Sequence, residues 1–103
     1  MQHFVLVYHY VSDYMSRRDA VRPQHLARIG KAIKEGRILV AGVLPDEPAA
    51  LIVFYTENAD EVHVFAQSDP YNAAGLIDSY EVRPWTVAAG VEDFVHPVLG
   101  KNE

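Results

Sequence analysis

Hydrophobic positions along the chain follow two rhythms, a strand-like alternation and a helical stripe, and Gly, Pro or Asx residues mark each change between them. His3 to Val11 is dense in Val, Tyr and Phe, which predicts a strand. Phe4, Leu6, Tyr8 and Tyr10 share one face, and His3, Val5, Val7, His9 and Val11 share the other. Neither face is polar, so this strand calls for cover on both sides. Ser12 to Arg18 reads as a polar connector carrying two adjacent arginines. A helix follows, bracketed by Pro23 and Gly36. Pro23 suits a first turn and discourages helical backbone at Arg22, so the helix begins near these two residues. Lys31, Lys34 and Arg37 complement the negative end of its dipole. Leu26, Ile29 and Ile33 form its apolar stripe, with Arg22 in line with the middle of the stripe and His25 at its edge beside Ala32.

Ile38 to Leu44 and Ala49 to Thr56 read as strands joined by the turn Pro45-Asp46-Glu47-Pro48. Asn58 and Glu61 make a capping box that opens a second helix, whose buried face is Ala59, Val62, Phe65 and Ala66. Asp69-Pro70 is an N-cap followed by a first-turn proline, and Gly75 closes the short turn so begun. Ile77 to Val87 is the last strand, and Pro84 within it argues for an edge position. The order β-α-β-β-α-β predicts an α+β, ferredoxin-like domain: a four-stranded antiparallel sheet with two helices on one face. Strands apolar on both faces leave the other side of that sheet bare. A second copy packed sheet against sheet, as a dimeric α/β barrel, would cover it. Residues 1–90 are read as the domain. Residues 91–103 lack a clear period and form a C-terminal extension, a candidate dimer arm.

Composition narrows the function. The chain has 103 residues, enough for one domain with a single core. Half the residues are hydrophobic and 22% are charged, so it folds and is not disordered. A net charge of -5 argues against nucleic acid and anionic membrane as partners. Without cysteine there is neither a disulfide framework nor a thiolate metal site. No signal-peptide pattern and no membrane-length apolar run is seen, so a cytoplasmic location is expected.

The candidate chemistry gathers at two points. The turn at Asp69 fixes the direction of a carboxylate while leaving it free to accept a further bond. His25 stands in the first turn of the first helix, on the same side of the sheet in this fold. A carboxylate bonded to one imidazole nitrogen sets the tautomer and raises the basicity of the other, the minimum for general acid–base work. His25 and Asp69 are therefore the candidate catalytic pair, and Arg22, one turn earlier, is a candidate clamp for a substrate anion. Tyr8, His9, Tyr71 and Trp85 are candidate pocket walls, although strand packing for the first two, and core or dimer-interface roles for the last two, are the more common use of such residues. A plainer reading pairs Arg22 with Asp69 and leaves His25 to cap or pack. A metal held by His9, His25 and Asp69 lacks any ligand-spacing motif, so no metal site is assigned. No GxGxxG, Walker or GxSxG motif occurs, and no cofactor is called for.

Arg22-Pro23-Gln24-His25-Leu26, Gly36, Ala41-Gly42, Asp69-Pro70-Tyr71, Gly75 and Arg83-Pro84-Trp85 together resemble the YCII-related (YciI-like) family. The resemblance runs from the first strand to about Trp85. It implies a dimeric α+β barrel of ferredoxin-like protomers and an active site of one His and one Asp, which fall on His25 and Asp69. Arg22 matches a position where the family commonly has arginine. The family is linked to dehydrochlorination of a chlorinated hydroxyquinol, and its fold is shared with muconolactone isomerases and small cofactor-free monooxygenases. Two departures bear on the pocket: the link around Pro45 to Pro48 is short, and the chain extends past Gly90.

The expected function is cofactor-independent proton transfer, by elimination or isomerisation, on a small cyclic or aromatic acid. The expected assembly is a homodimer or higher oligomer. A non-catalytic dimeric ligand-binding domain is the alternative, and substrate-directed oxygen chemistry is a third reading.

Overall fold

Where the sequence alternates at period two the backbone extends, and where it carries a 3.6-residue stripe it coils. In chain order the elements of the computed structural model are β1 (Gln2–Tyr10), α1 (Tyr14–Arg17), a 3-10 turn (Arg18–Ala20), α2 (Arg22–Lys34), β2 (Ile38–Leu44), β3 (Ala49–Thr56), α3 (Ala59–Gln67), α4 (Pro70–Ala73), β4 (Ile77–Trp85) and α5 (Glu92–Val95). Residues 1–98 are described. The strands form one antiparallel sheet in the order β2-β3-β1-β4 with the helices on one face, the ferredoxin-like arrangement. β4 is an edge strand, which is why Pro84 opposite Phe4 is tolerated: its missing N–H has no second neighbour to serve.

The helix-side core joins Phe4, Leu6, Tyr8 and Tyr10 of β1 to Ile52 and Phe54 of β3 and to Ile29, Val62 and Phe65 of the helices. On the other face Val5, Val7 and His9 are half-buried, while Leu51, Val40 and Trp85 are exposed in the single chain. Three sequence expectations change. The connector after β1 is helical, because Tyr14 turns inward and stacks on Tyr10 at 4.1 Å. The last strand stops at Trp85, two residues short of Val87. The buried stripe of α2 is His25, Ile29 and Ala32, and Leu26 and Ile33 stay 44% and 41% exposed. The helix is rolled toward its polar residue because the partner of His25 lies inside, and hydropathy has no means of registering that.

Both helix stops use glycine in the left-handed region. Gly36 has φ 77°, with the Arg37 N–H donating to the Ala32 carbonyl and the Gly36 N–H to that of Ile33. Gly75 has φ 74°, with the same pattern from Leu76 to Tyr71 and from Gly75 to Asn72. These are Schellman closures. At the head of α3 the Asn58 side chain accepts from the Glu61 N–H, and Glu61 reaches back to the Glu57 N–H, one residue before the cap itself.

The described part of the C-terminal segment lies on its own chain. The Phe94 carbonyl accepts a 2.6 Å hydrogen bond from His3 Nε2, and the Phe94 ring stacks on His3 and meets Trp85 edge-on. The remainder of the expected arm, residues 99–103, lies outside the described residues.

Gly36→Ala places a Cβ in the left-handed region. It should destabilise the protein by about 1–2 kcal/mol in urea unfolding without changing its circular dichroism spectrum. An unchanged midpoint would contradict the role given to this closure.

Candidate functional site

The site is assembled by two helix starts. At one, Asp69 caps α4: its Oδ1 accepts the Tyr71 N–H at 2.9 Å, and Pro70 at the first helical position presets the turn. At the other, the first turn of α2 points the His25 ring inward. His25 Nδ1 lies 2.9 Å from Asp69 Oδ1 and 3.0 Å from Oδ2. A third donor comes from β1, where the Tyr8 hydroxyl donates to Asp69 Oδ2 at 2.7 Å. Asp69 and Tyr8 have no solvent exposure and His25 is buried.

These bonds set the electrostatics. Burial works against the ionised form of Asp69, but the bonds from His25, the Tyr71 amide and Tyr8 outweigh it and hold the carboxyl below the usual range. Burial first, and then the Asp69 charge, push the Tyr8 phenol up, so that it stays a donor. A carboxylate only accepts, so Nδ1 of His25 carries the proton and Nε2 is the nitrogen left to act. Nε2 makes no hydrogen bond to a described residue and retains accessible surface.

Beside it is a cavity of about 240 Å³ between α2 and the β2 side of the sheet, lined by Arg22, His25, Leu26, Tyr10, Val43 and Ile52 among others. A second hollow of about 250 Å³, between Ile33, Leu39 and Phe94, is lined by none of the dyad residues. Tyr71 lies flat on His25, with centroids 3.8 Å apart and planes 6° from parallel. Tyr10 meets Tyr71 edge-on at 5.9 Å and stacks on Tyr14. The imidazole is thus clamped on one side by an aromatic wall and open on another to the cavity.

Of the residues named from the sequence, His25, Asp69, Tyr8 and Tyr71 meet, and Arg22 lines the cavity. Tyr8 and Tyr71 reach the dyad itself and serve as its hydrogen-bond and stacking partners. His9 and Trp85 stand apart from the dyad. His9 pairs with Glu81 at 3.1 Å on the far face of the sheet, since odd positions of β1 point away from the helices. Trp85 pairs across from His3 on that face and touches Phe94. The metal set His9, His25 and Asp69 is therefore split by the sheet, and among the described residues no group of three such side chains could hold a metal. The plainer pairing of Arg22 with Asp69 is also absent, because the carboxylate is taken by three other donors.

Sequence reading missed Tyr14 and Arg18, both inside the supposed polar connector. The signals were a single aromatic among polar neighbours and the adjacent arginines that follow it. Arg18 Nε is buried without a hydrogen-bond partner, and its guanidinium stands 6.0 Å from the Tyr14 ring centre. Arg28 braces the site from behind, donating to the Phe65 carbonyl and the Ser68 hydroxyl.

The sequence profile described as the YCII-related domain matches residues 1–86. Protein YciI of Escherichia coli is 33% identical over 84 residues, covering 72% of this chain and 86% of that protein. Among solved structures, 5-chloro-2-hydroxyhydroquinone dehydrochlorinase (TftG) from Burkholderia phenoliruptrix, in complex with 2,5-dihydroxybenzoquinone, superposes with a TM-score of 0.72 at 23% identity. The match covers 84% of this chain and 95% of that one. A NIPSNAP family protein from Agrobacterium tumefaciens follows at a TM-score of 0.57 and 15% identity, covering 84% and 91%. At such identities the solved structures establish the fold.

Two outcomes follow from the geometry. Tyr8→Phe removes one donor from a buried carboxylate and should cost about 1.5–3 kcal/mol in denaturant unfolding. A loss within error of zero would show the bond to be idle. Asp69, held below its ordinary value of 3.8, contributes stability that is complete above that pH and lost as pH falls through its lower folded value. The stability gap between wild type and Asp69→Asn should therefore shrink in strong acid, and curves that stay parallel there would contradict the assignment.

Proposed function

This chain belongs to the YCII-related family, and on that premise we propose that it is a cofactor-independent acid–base catalyst acting on a small cyclic or aromatic acid. The observation that carries the reading is the His25 ring, bonded through Nδ1 to a buried carboxylate and free through Nε2 beside a cavity. Asp69 holds the tautomer and offsets the charge that develops on the imidazole when it takes a proton. Tyr8 keeps Asp69 ionised and oriented. Tyr71 holds the imidazole plane. Arg22, exposed at the cavity, meets the acid group of the substrate.

The step is an elimination or an isomerisation. His25 Nε2 takes a proton from a hydroxyl or carbon of the ring and the electron pair of that bond enters the ring. In an elimination, the leaving group departs with its own bonding pair, and His25 then passes the proton to water; in an isomerisation, His25 returns the proton to another atom of the ring as the double bond shifts. TftG, whose described ligand is a small oxygenated ring and whose described reaction is a dehydrochlorination, supports this class, and a cavity of about 240 Å³ suits a single ring. We also read the apolar far face of the sheet as the seat of a second copy, residues 1–90 as the working domain, and residues 91–103 as an extension along the dimer.

The test is turnover of 5-chloro-2-hydroxyhydroquinone and related ring acids, followed by absorbance and released chloride. The wild type should turn over at least one of them. His25→Ala should lower kcat by about 10²- to 10⁴-fold in a protein of unchanged oligomeric state. Full activity in both His25→Ala and Asp69→Asn would end the mechanism. Absence of any turnover, with a lowered Tm as the only effect of His25→Ala, would favour the ligand-binding domain instead.

A further inference from the structure

Four tyrosine rings stand around the dyad, and their hydroxyls are used differently. That of Tyr8 donates to Asp69 at 2.7 Å. The hydroxyls of Tyr10, Tyr14 and Tyr71 make no hydrogen bond to a described residue, although each of these residues is more than nine-tenths buried. None of the three oxygens is sealed, so each keeps open space in front of it. Of the three, Tyr10 is the one that borders the cavity faced by His25 and Arg22. Its ring is fixed in place, stacked on Tyr14 and set edge-on to Tyr71, which in turn lies flat on His25. A buried phenol with an unspent hydroxyl at the wall of a cavity calls for an acceptor inside it.

A ligand can reach that point. The exposed Arg22, Leu26 and Val43 form the mouth of the cavity, and the buried Tyr10, His25, Ala50 and Ile52 form its floor. Apart from Arg22, His25 and Tyr10, the lining residues carry no polar side-chain atom. A ring seated there therefore has two donors and one imidazole nitrogen for its polar groups, and aliphatic walls for the rest. Burial, and after it the neighbouring Tyr71 phenol, push the Tyr10 phenol up, so it keeps its proton at neutral pH.

We propose that the Tyr10 hydroxyl donates a hydrogen bond to an oxygen on the ligand ring, as a third polar contact beside those of His25 and Arg22. This deepens the proton-transfer reading and rests on it for its catalytic meaning. When His25 Nε2 takes a proton, the electron pair of the broken bond enters the ring and its charge collects on a conjugated oxygen. Tyr10 donates to that oxygen and keeps its own proton. A donor already in position acts most strongly on charge that develops during the reaction. The substrate class narrows to rings with a hydroxyl or carbonyl oxygen conjugated to the atom that loses the proton. The hydrogen bond itself does not require turnover.

The probes are 4-nitrophenolate, whose ionised oxygen carries the charge such a ring would acquire, and nitrobenzene, which lacks that oxygen. In mildly alkaline buffer, wild-type protein should bind 4-nitrophenolate at least about 10-fold more tightly than nitrobenzene by titration calorimetry. Tyr10→Phe keeps the ring, and should weaken 4-nitrophenolate by roughly 10- to 100-fold while leaving nitrobenzene within about 3-fold. Its Tm should stay within about 2 °C of wild type, because in the protein alone the hydroxyl has no bond to lose. On any ring that the wild type turns over, Tyr10→Phe should lower kcat by about 10²- to 10³-fold. Equal binding of the two probes by wild type, unchanged 4-nitrophenolate affinity in Tyr10→Phe, or a Tm loss matching that of Tyr8→Phe would each overturn the proposal. Should Tyr10→Phe not fold, the Tyr10 Cζ resonance of 13C-tyrosine-labelled wild type decides: it should move on adding 4-nitrophenolate and stay still with nitrobenzene. Affinity that depends on Tyr10 without turnover of any ring would retain the donor and discard the catalyst. Turnover unaffected by Tyr10→Phe would keep the His25–Asp69 pair and discard the donor.

Discussion

A single carboxylate, taken wholly out of water, organises this fold. Leaving Asp69 buried and unsatisfied would cost several kcal/mol, roughly as much as half the net stability of a domain this size. Its three donors come from three elements: a hydroxyl from β1, an imidazole from α2 and an amide from α4. Each bond therefore ties a separately folded piece to the same point. Such a junction tolerates little displacement, which suits a site where one imidazole nitrogen must be held in a known tautomer and direction.

The hydrophobic architecture leaves room beside that junction instead of filling it. α2 is rolled toward Asp69, so Ile29 and Ala32 pack while Leu26 and Ile33 remain half out. The roll opens the cavity along the β2 side, where Ala41, Gly42 and Ala50 present little side chain. Close packing on the β1 side and small residues on the β2 side thus place a hollow next to a polar group. The aromatic wall of Tyr10, Tyr14 and Tyr71 then confines the imidazole without a hydrogen bond to Nε2.

Much of the scaffold was readable from residue order alone. The four strands, the helix beginning at Arg22, the Asn58–Glu61 cap, the Asp69-Pro70 start and the glycine closures rest on local rules of period, capping and backbone freedom. The edge position of β4 was legible from Pro84 because a missing N–H is a local fact with a topological consequence. Failures came where a distant partner overrode the local rule. The connector around Tyr14 reads as polar, yet coils because Tyr10 offers a ring to stack on. His9 looks as eligible as Tyr8 until the pleat sends it to the far side of the sheet.

By itself, then, the sequence determined the kinds of element, their order and the presence of an imidazole and a carboxylate at two helix starts. Those properties depend on residues within a turn or two of each other. Only the tertiary structure decided that His25 and Asp69 touch, that Tyr8 completes the carboxylate, that Trp85 stands away from it, and that Arg18 is left with an open N–H. Residues 44 or 61 positions apart are brought together by sheet pairing and by the roll of one helix, and the desolvation that gives these contacts their strength exists only once the chain has closed around them.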